Sequence, residues 1–509
     1  MRRRQSVSPA LAALLSGLLP GLGHWYAGHR RRAAALIAFS VIATIPATII
    51  VIVIFFSGGR ALALDLARPF FEHPGYLLLL LAINVAVLAF RILAGLDAFW
   101  SSGGGFIGSR VVIVVAAIAI FGTAVAAPHA WAARRNLALY DLLTYDYSVD
   151  PNQAATTTTV PPPTTTTSEP ATTTTAPLPT SSTVLVTTST TTTTTTTTLP
   201  PLADRRINIL LLGGDAGPDR PGLRTDTIIV ASVDPVTGNT ALLQLPRNQV
   251  ELPISEDHPA YDIWECHCYP KLANTIYRYG LSHPESFPGG NNSGATAVMD
   301  LVGYLFGIEI HNYALVNLLG FVSIVDALGG LTITVTSLIE DEQYTRPGGD
   351  VVPVLFEPGT YEMDGEEVLS YARVRRETDD YHRMGRQRCV LEAMASQTDP
   401  ATLIQALPTL VPAIQNSILT DFPVTEWPDL IELAGSVDTT TIVSVRFMPN
   451  APELVGTGTA YVAKRPDGYW VPIASIIRQT VATVLSSDPA TASADLGISP
   501  LGDICGVGE

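Results

Sequence analysis

The chain has 509 residues, of which 47% are hydrophobic and only 15% charged, and its formal net charge is −16. A soluble protein usually carries about 25% charged residues, so part of this chain is expected to lie in a bilayer. The negative charge argues against a nucleic-acid partner, which would require a strongly basic domain. Four cysteines are too few for a disulfide-dense scaffold.

Residues 1–135 are predicted to form a membrane anchor. Three apolar runs each reach the roughly 20 residues that a helix needs to cross a bilayer: Ala33–Phe56, Gly75–Leu96 and Val111–Trp131. Residues 9–26 are apolar but short and interrupted by proline and glycine, so they are interpreted as an interfacial or re-entrant segment, with a fourth crossing as the alternative. Arginines at positions 2–4 and 30–32 precede the first run. The positive-inside rule places this end in the cytoplasm, and three crossings then leave the C-terminal part outside the cell.

Residues 136–203 are predicted to be a disordered linker, because from about residue 152 they are almost entirely threonine, proline, serine and alanine. This composition cannot bury enough apolar surface to offset the entropy of ordering. Such stalks are typical of regions outside the cell. A semi-extended chain of this length reaches on the order of 150 Å, and a loose coil nearer 40 Å. The linker is therefore expected to hold the following domain away from the membrane.

Residues 204–509 have the composition of a globular domain. Apolar runs of strand length alternate with segments of helical spacing, which favours a mixed α/β domain of three layers, with a central sheet flanked by helices. The predicted strands are 207–212, 227–233, 240–245 and 331–335, and the predicted helices are 295–306, 321–328, 383–395, 403–414 and 427–433.

Two aspartates stand at the ends of predicted strands. Asp215 follows the first strand, and Asp226 begins the second eleven residues later. Such a pair predicts an Mg²⁺ site, because hard oxygen ligands suit this ion; turn-capping aspartates are the alternative. Since like charges repel, one of the two carboxyl groups is expected to have a raised pKa when no ion is bound.

The densest charge is a run of six arginines between residues 373 and 388. In an extended segment Arg373 and Arg375 would share a face, because side chains alternate. In a helix that begins near Asp380, the side chains of Arg383, Arg386 and Gln387 would lie within one turn. Arginine binds phosphate oxygens bidentately and stays protonated. The run therefore predicts a bis-anionic ligand such as a pyrophosphate, with a solvated basic face or a lipid-headgroup patch as the alternative.

The order of these pieces resembles the LytR–CpsA–Psr family of bacterial cell envelopes over residues from about 204 to 450. The matching residues are Gly213-Gly214-Asp215, Arg224-Thr225-Asp226-Thr227, Pro246-Arg247, Asn274 with Tyr277, Gly329-Gly330, Asp364-Gly365, Thr420-Asp421 and the run from Tyr371 to Gln387. Four features depart from the family pattern: Asn248 stands where an acid is usual, Lys271 lies three residues before Asn274 instead of two, Arg388 replaces a glutamine, and Ser255–Tyr269 has no counterpart.

The resemblance implies a membrane-anchored phosphotransferase that moves a glycopolymer from a polyprenyl-pyrophosphate carrier to peptidoglycan, with Mg²⁺ as cofactor. Asp215 and Asp226 would be the metal ligands, and Asp226 and Arg247 would act in catalysis. The implied pyrophosphate-binding residues are Arg224, Arg247, Arg373, Arg375, Arg383, Arg386 and Gln387. Asp226 or a metal-bound water could take the acceptor proton, and the sequence does not choose between them.

Two other functions stay open on sequence alone. A non-enzymatic, membrane-anchored binder or sensor of polyprenyl-linked or anionic wall glycans would keep the arginines but would not need the two aspartates. A polyprenyl-pyrophosphate glycan hydrolase would use water as the acceptor.

The four cysteines allow three disulfide connectivities. Outside the cell, disulfides are favoured over a zinc site, because Cys266-His267-Cys268 lacks four well-spaced ligands. We predict that Cys389 pairs with Cys505, and that Cys266 pairs locally with Cys268.

Overall fold

The structure, a computed structural model, describes most of the C-terminal domain and part of the N-terminal region. The described residues are 7–42, 60–103, 125–148, 205–215, 223–374, 380–397, 410–412, 414–415, 417–437, 441–449, 451 and 459–498. Outside them lie much of the first and third predicted membrane runs, the Thr/Pro-rich segment, most of the predicted helix 403–414, Arg375 and Cys505.

The C-terminal domain is mixed α/β, as predicted. Its strands are β1 (Ile207–Gly214), β2 (Thr225–Val233), β3 (Thr240–Gln244), β4 (Leu252–Pro253), β5 (Cys268–Tyr269), β6 (Asn312–Asn317), β7 (Leu331–Val335), β8 (Ile339–Thr345), β9 (Val351–Phe356), β10 (Gly359–Met363), β11 (Ile418–Thr420), β12 (Val443–Arg446), β13 (Val462–Lys464) and β14 (Trp470–Pro472). The helices of the whole chain are α1 (Pro9–Leu18), α2 (Leu22–Tyr26), α3 (Arg60–Glu72), α4 (Gly75–Ser101), α5 (Ala127–Thr144), α6 (Ile276–Ser282), α7 (Ser293–Phe306), α8 (Leu318–Leu328), α9 (Gly365–Arg373), α10 (Asp380–Gln397), α11 (Trp427–Ser436), α12 (Ala474–Ser486) and α13 (Pro489–Leu496).

The central sheet has six strands in the order β11-β6-β1-β2-β3-β12. Strands β1, β2 and β3 are antiparallel neighbours, while β6 is parallel to β1 and β12 is parallel to β3. A hairpin turn joins β2 to β3, and its Gly238 has a φ of 75°, which glycine adopts without strain. This topology brings the C-terminal end of β1 and the N-terminal end of β2 to one end of the sheet.

The two faces of the sheet pack against different layers, because side chains alternate along each strand. Leu210 and Leu212 lie in the main core, which includes the buried residues of α7 and α12. Leu211 lies on the opposite face, where it packs beside Ile229 and Leu391 of α10. That second face therefore faces the arginine-bearing helix.

The N-terminal end of the arginine run is helical, which corrects the prediction of an extended segment. Arg373 is the last residue of α9. A capping box starts this helix: the Asp364 side chain accepts from the N–H of Glu367, and the Glu367 side chain accepts from the N–H of Asp364. The buried face of α9, which includes Val368 and Leu369, then has helical spacing. The capping box and the helical spacing of the buried residues are both local signals for a helix. They outweigh the alternation of side chains on which the prediction of an extended segment rested.

The N-terminal region contains one described helix, α4, that is long and apolar enough to cross a membrane. The predicted re-entrant segment forms two short helices, α1 and α2, and Gly21 between them has a φ of 104°. His24 ties this pair to α4 through hydrogen bonds to Ser16 at 3.1 Å and to Asp97 at 2.7 Å. Helix α5 continues to Thr144, beyond the predicted anchor boundary at residue 135.

The local disulfide between Cys266 and Cys268 is present, as predicted. Cys389 is also disulfide-bonded, and Cys505, its predicted partner, lies outside the described residues. The Cys266–Cys268 bridge belongs to the segment that has no counterpart in the family pattern, where β5 pairs with β4.

Candidate active site

The first element of the site is the pair of strand ends that carry Asp215 and Asp226. Gly213 lies opposite Thr227, and the β1–β2 register shifts at Gly214. The N–H of Asp215 donates to the Arg224 carbonyl at 3.0 Å, and the N–H of Arg224 donates to the Asp215 carboxylate at 2.8 Å. Both aspartates line one cavity. Asp215 and Arg224, on either side of residues 216–222, therefore lie together at this end of the sheet.

The second element is an alternating chain of two acids and two arginines. Nη1 of Arg247 lies 2.8 Å from Oδ1 of Asp226, and its Nε lies 3.1 Å from Oδ1 of Asp380. Nη2 of Arg383 is 3.1 Å from the same Asp380 oxygen and donates to the Asp226 carbonyl at 3.3 Å. Nδ2 of Asn274 also donates to Asp226, at 3.0 Å. The four charges are partly shielded from water, so their attraction is stronger than on an open surface.

These contacts set the ionisation of Asp226. Burial acts to raise its pKa, but the charge of Arg247 and the hydrogen bonds from Asn274 and Arg247 outweigh burial, so the pKa is lowered below its ordinary value. Burial likewise acts to lower the pKa of Arg247, and Asp226 and Asp380 raise it. The prediction that carboxylate repulsion raises a pKa at this site is wrong for Asp226, because its nearest charged neighbours are arginines.

A cavity of about 390 Å³ adjoins this cluster. Its polar lining includes Asp215, Asp226, Arg373, Arg383 and Gln387, together with Asn317, Asp341, Gln343 and Thr345. Much of the remaining lining is apolar and comes from the second face of the sheet and from α8, α9 and α10: Leu211, Ile229, Val316, Phe321, Ile324, Leu369, Val390, Leu391 and Met394. The cavity thus suits an amphiphile with a hydrocarbon part and an anionic head.

The arginines of α10 make different contacts. Helix α10 begins at Asp380, as predicted, and Arg383 points to the Asp226 cluster. Arg386 instead donates to the carbonyl oxygens of Tyr371, at 2.7 Å, and of Val374, at the C-terminal end of α9. Arg388 is 1% exposed and donates to the Ser444 carbonyl on β12. Arg386 and Arg388 do not line the cavity, so much of the arginine run fastens α10 to its surroundings.

The other predicted pyrophosphate-binding residues differ in position. Arg373 lines the cavity and donates from Nη1 to the Tyr344 hydroxyl at 3.1 Å. Gln387 lines the cavity and accepts from Nε2 of Gln244 at 3.2 Å. Arg224 contributes its backbone N–H to Asp215, and its side chain is not among the described cavity residues. Arg375 falls outside the described residues.

Sequence reasoning missed two members of the site. Tyr344 comes from β8, and no motif in that strand distinguishes it. Gln244 lies at the end of β3, three residues before Arg247, and its polar side chain in an otherwise apolar strand was the available signal. Asp380 had been recognised only as a helix start, whereas its carboxylate pairs with both Arg247 and Arg383.

The two carboxylates fit Mg²⁺ only if water or a phosphate ligand supplies the remaining oxygen atoms. No group of three or more His, Cys, Asp or Glu side chains that could hold a metal occurs among the residues that the structure describes. Mg²⁺, however, is commonly held by one or two carboxylates, waters and substrate phosphates. Asp215 and Asp226 open into one cavity beside arginines, and the lowered pKa keeps Asp226 ionised. The pair therefore suits an ion that binds together with a phosphate ligand.

Comparisons with known proteins point to the family that the motifs resemble. The sequence model of the LytR_cpsA_psr family matches residues 176–467. The chain is 28% identical over 219 residues to a protein of Enterococcus faecalis named polyisoprenyl-teichoic acid–peptidoglycan teichoic acid transferase TagU, and the match covers 42% of this chain and 61% of that protein. It is 27% identical to a protein of the same name from Halalkalibacterium halodurans, with 42% and 60% covered. The chain thus matches about three-fifths of the length of these curated relatives.

Among solved structures, protein gbs0355 of Streptococcus agalactiae is similar with a TM-score of 0.41 and 21% identity. That match covers 58% of this chain and 89% of the other.

Proposed function

This chain belongs to the LytR–CpsA–Psr family, and we propose that it is a phosphotransferase that attaches a polyprenyl-pyrophosphate-linked glycopolymer to peptidoglycan. One observation carries this proposal: a largely apolar cavity is also lined by Arg383 and by Asp226, whose carboxylate pairs with Arg247 and whose pKa is lowered. The transferase names of the relatives support the same reaction class.

The cavity matches the two chemically different parts of such a donor. The first isoprene units of the carrier would lie against apolar residues such as Phe321, Leu391 and Met394. The pyrophosphate would lie at Arg373 and Arg383, whose forked guanidinium groups match phosphate oxygens. A sensor or binder would need the same arginines, but it would not need Asp226 held ionised beside them.

In the proposed reaction, a peptidoglycan hydroxyl attacks the phosphorus that bears the glycan. A new O–P bond forms, the bridging P–O bond breaks, and polyprenyl phosphate leaves with the bond's electron pair. Phosphoryl transfer depends mainly on positioning and charge neutralisation. Arg383 and Arg373 would neutralise the developing charge, and Arg247 would hold the Asp226 carboxylate at the reacting end of the cavity. The hydroxyl proton passes to a base at this end, where Asp226 is an ionised candidate.

Asp215 and Asp226 are the residues that we propose hold Mg²⁺. When bound, the ion would neutralise charge on the pyrophosphate oxygens. Its place is supported by the two carboxylates that line the cavity.

We place the protein in the bacterial cytoplasmic membrane as a multi-pass protein with the C-terminal domain outside the cell. Helix α4 and the two further apolar runs of the sequence support this placement. A peptidoglycan acceptor also requires the domain to lie on that side.

The test is reconstitution of the full chain with a polyprenyl-pyrophosphate-linked glycan, Mg²⁺ and uncrosslinked peptidoglycan. The expected product is polymer covalently attached to peptidoglycan, with stoichiometric release of polyprenyl phosphate. Free polymer in place of attached polymer would identify a hydrolase. Tight donor binding without turnover, unchanged in an Asp226→Asn variant, would identify a binder.

A further inference from the structure

The end of α5 packs directly on the edge of the catalytic domain. Tyr147, which is 4% exposed, forms a small core with Leu142 and Val411, and its ring lies 5.3 Å from that of Trp427. The N–H of Thr420 in β11 donates to the carbonyl oxygen of Tyr147 at 3.0 Å. Strand β11 is an edge strand of the central sheet, and edge backbone groups need partners. Tyr147, just before the Thr/Pro-rich segment, supplies such a partner for β11.

A second anchor segment reaches the same place. Helix α3 packs against α11 and the turn before it. Nη2 of Arg68 on α3 lies 2.6 Å from Oδ1 of Asp429 on α11. Nε2 of Gln415 also donates to the carbonyl of Asp141 on α5, at 2.9 Å. Two anchor segments separated by α4 therefore converge on one surface of the domain.

This convergence agrees with the predicted crossings. Helix α3 follows the first predicted crossing, and the end of α5 follows the third. Both therefore lie on the outer side, where the C-terminal domain is proposed to be. The contacts between these segments and the domain are therefore compatible with the predicted three membrane crossings.

Residue 205, the first described residue after the Thr/Pro-rich segment, lies at the same end of the sheet. Residue 205 is two residues before β1. The N–H of His311, just before β6, donates to the Asn208 carbonyl, and Tyr313 donates to Asp421, just after β11. The start of β1, the start of β6 and the end of β11 are thus adjacent. At about 4.8 Å per strand, Tyr147 beside β11 is about 15 Å from the start of β1.

From these contacts we propose that the domain docks on the outer ends of its own anchor through an interface formed by β11, the turn 424–426 and α11. The segment 149–204 would then close a loop whose ends lie close together, instead of setting the distance between domain and membrane. The partner is the same chain's anchor, because the close ends keep its effective concentration high. Docking would fix the orientation of the cavity relative to the bilayer. The proposal goes beyond the transferase assignment and does not depend on it.

The first test is crosslinking of the full chain in native membranes. Arg68→Cys with Asp429→Cys is treated with a short bismaleimide, and a protease site placed within residues 152–199 is then cut. Docking predicts that the two fragments stay joined. The matched control is Arg68→Cys with Asp467→Cys. Asp467 lies on the β13–β14 turn, and Trp470 of β14 forms a β-bridge with Gln249. Gln249 follows the C-terminal end of β3, so the control position lies at the end of the sheet away from the proposed interface. Equal joining in both pairs would overturn the proposal, as would crosslinks only between two chains.

The second test separates docking from a merely flexible tether. Tyr147→Ala removes an aromatic contact from outside the catalytic domain, so that domain should still fold. Crosslinking between positions 68 and 429 should slow roughly two- to tenfold, the range for an aromatic pair. Deletion of residues 152–199 leaves about eight residues, which span up to roughly 26 Å, so crosslinking should be retained. An unchanged rate in Tyr147→Ala, or loss of crosslinking in the deletion, would contradict the proposal. Neither readout involves polymer transfer.

Discussion

Arg247 reaches Asp226 with Nη1, at 2.8 Å, and this pair joins the end of β3 to the start of β2 at the rim of the cavity. The guanidinium uses a second nitrogen, Nε, for Asp380 at 3.1 Å. Arg247 thus links the sheet to α10. It also holds the pKa of Asp226 below its ordinary value, even though burial acts in the opposite direction.

Asp226→Asn should abolish most polymer transfer, and it should leave donor binding measured without Mg²⁺ nearly intact. The amide keeps the shape of the side chain but loses the charge that pairs with Arg247 and would hold Mg²⁺. Loss of one preorganised electrostatic group costs about 10²–10³-fold in rate. The measurement is the initial rate of polymer attachment, together with donor affinity. Asp262→Asn is the matched control, since that side chain is 91% exposed. Normal transfer by Asp226→Asn would remove this residue from the mechanism.

Arg373 and Arg386 should respond differently to removal, although both belong to the same arginine run. Arg373→Ala should weaken binding of a polyprenyl pyrophosphate analogue by about 10- to 150-fold, from the 1.5–3 kcal/mol of a charged hydrogen bond. Its free energy of unfolding should equal or exceed that of the natural chain. Arg386→Met should lower that free energy by about 1–3 kcal/mol, because the carbonyls of Tyr371 and Val374 lose their donor. Denaturant titration and calorimetry check both. Unfolding of Arg373→Ala would make that residue structural.

The stability of the domain should depend on pH through Asp226. A lowered carboxyl pKa contributes stability above the ordinary value of about 3.9, and that contribution is lost as pH falls through the folded-state pKa. Asp226→Asn should therefore be less stable than the natural chain at pH 7, and the difference should shrink as pH falls below the ordinary carboxyl pKa of about 3.9. Denaturant midpoints across this range measure the effect. A difference that stays constant with pH would mean that the charge of Asp226 is not responsible.

Mg²⁺ should bind weakly alone and much more tightly with a pyrophosphate lipid. Two carboxylates leave most of the coordination of this ion to water and phosphate oxygens. Calorimetry of Mg²⁺ against the full chain in detergent, with and without a non-hydrolysable polyprenyl pyrophosphate analogue, tests this coupling. Asp215→Asn should reduce the coupled binding. An affinity that the analogue does not change would contradict the two-aspartate site.

The Thr/Pro-rich segment should be accessible from outside the cell. Thr175→Cys should react with an impermeant thiol reagent on intact cells, whereas Arg31→Cys, in the basic cluster before the first apolar run, should react only after permeabilisation. The natural chain is the labelling control for both. Protection of position 175 with labelling of position 31 would reverse the proposed topology.

Much of the architecture could be predicted because its signals are local. The apolar runs before Gly213-Gly214-Asp215 and between Gly330 and Val335 are strands in the structure, and the start of α10 at Asp380 was also expected. Arg373 was misassigned because the capping box at Asp364 was not weighed against side-chain alternation. The predicted local bridge between Cys266 and Cys268 is also present.

The partners of the charged side chains depended on tertiary structure. The sequence does not show which of the six arginines contact a phosphate and which hold a helix in place, because this depends on what packs against each side chain. Arg386 meets the end of α9, Arg388 meets β12, and Arg383 meets Asp226. The sequence by itself determined the apolar anchor runs, the strands at 207–212, 227–233, 240–245 and 331–335 and the motif order, since these follow from composition and local periodicity. The sign of the Asp226 pKa shift and the position of residues 148 and 205 at one end of the sheet were decided only by folding, because each depends on residues far apart in the chain.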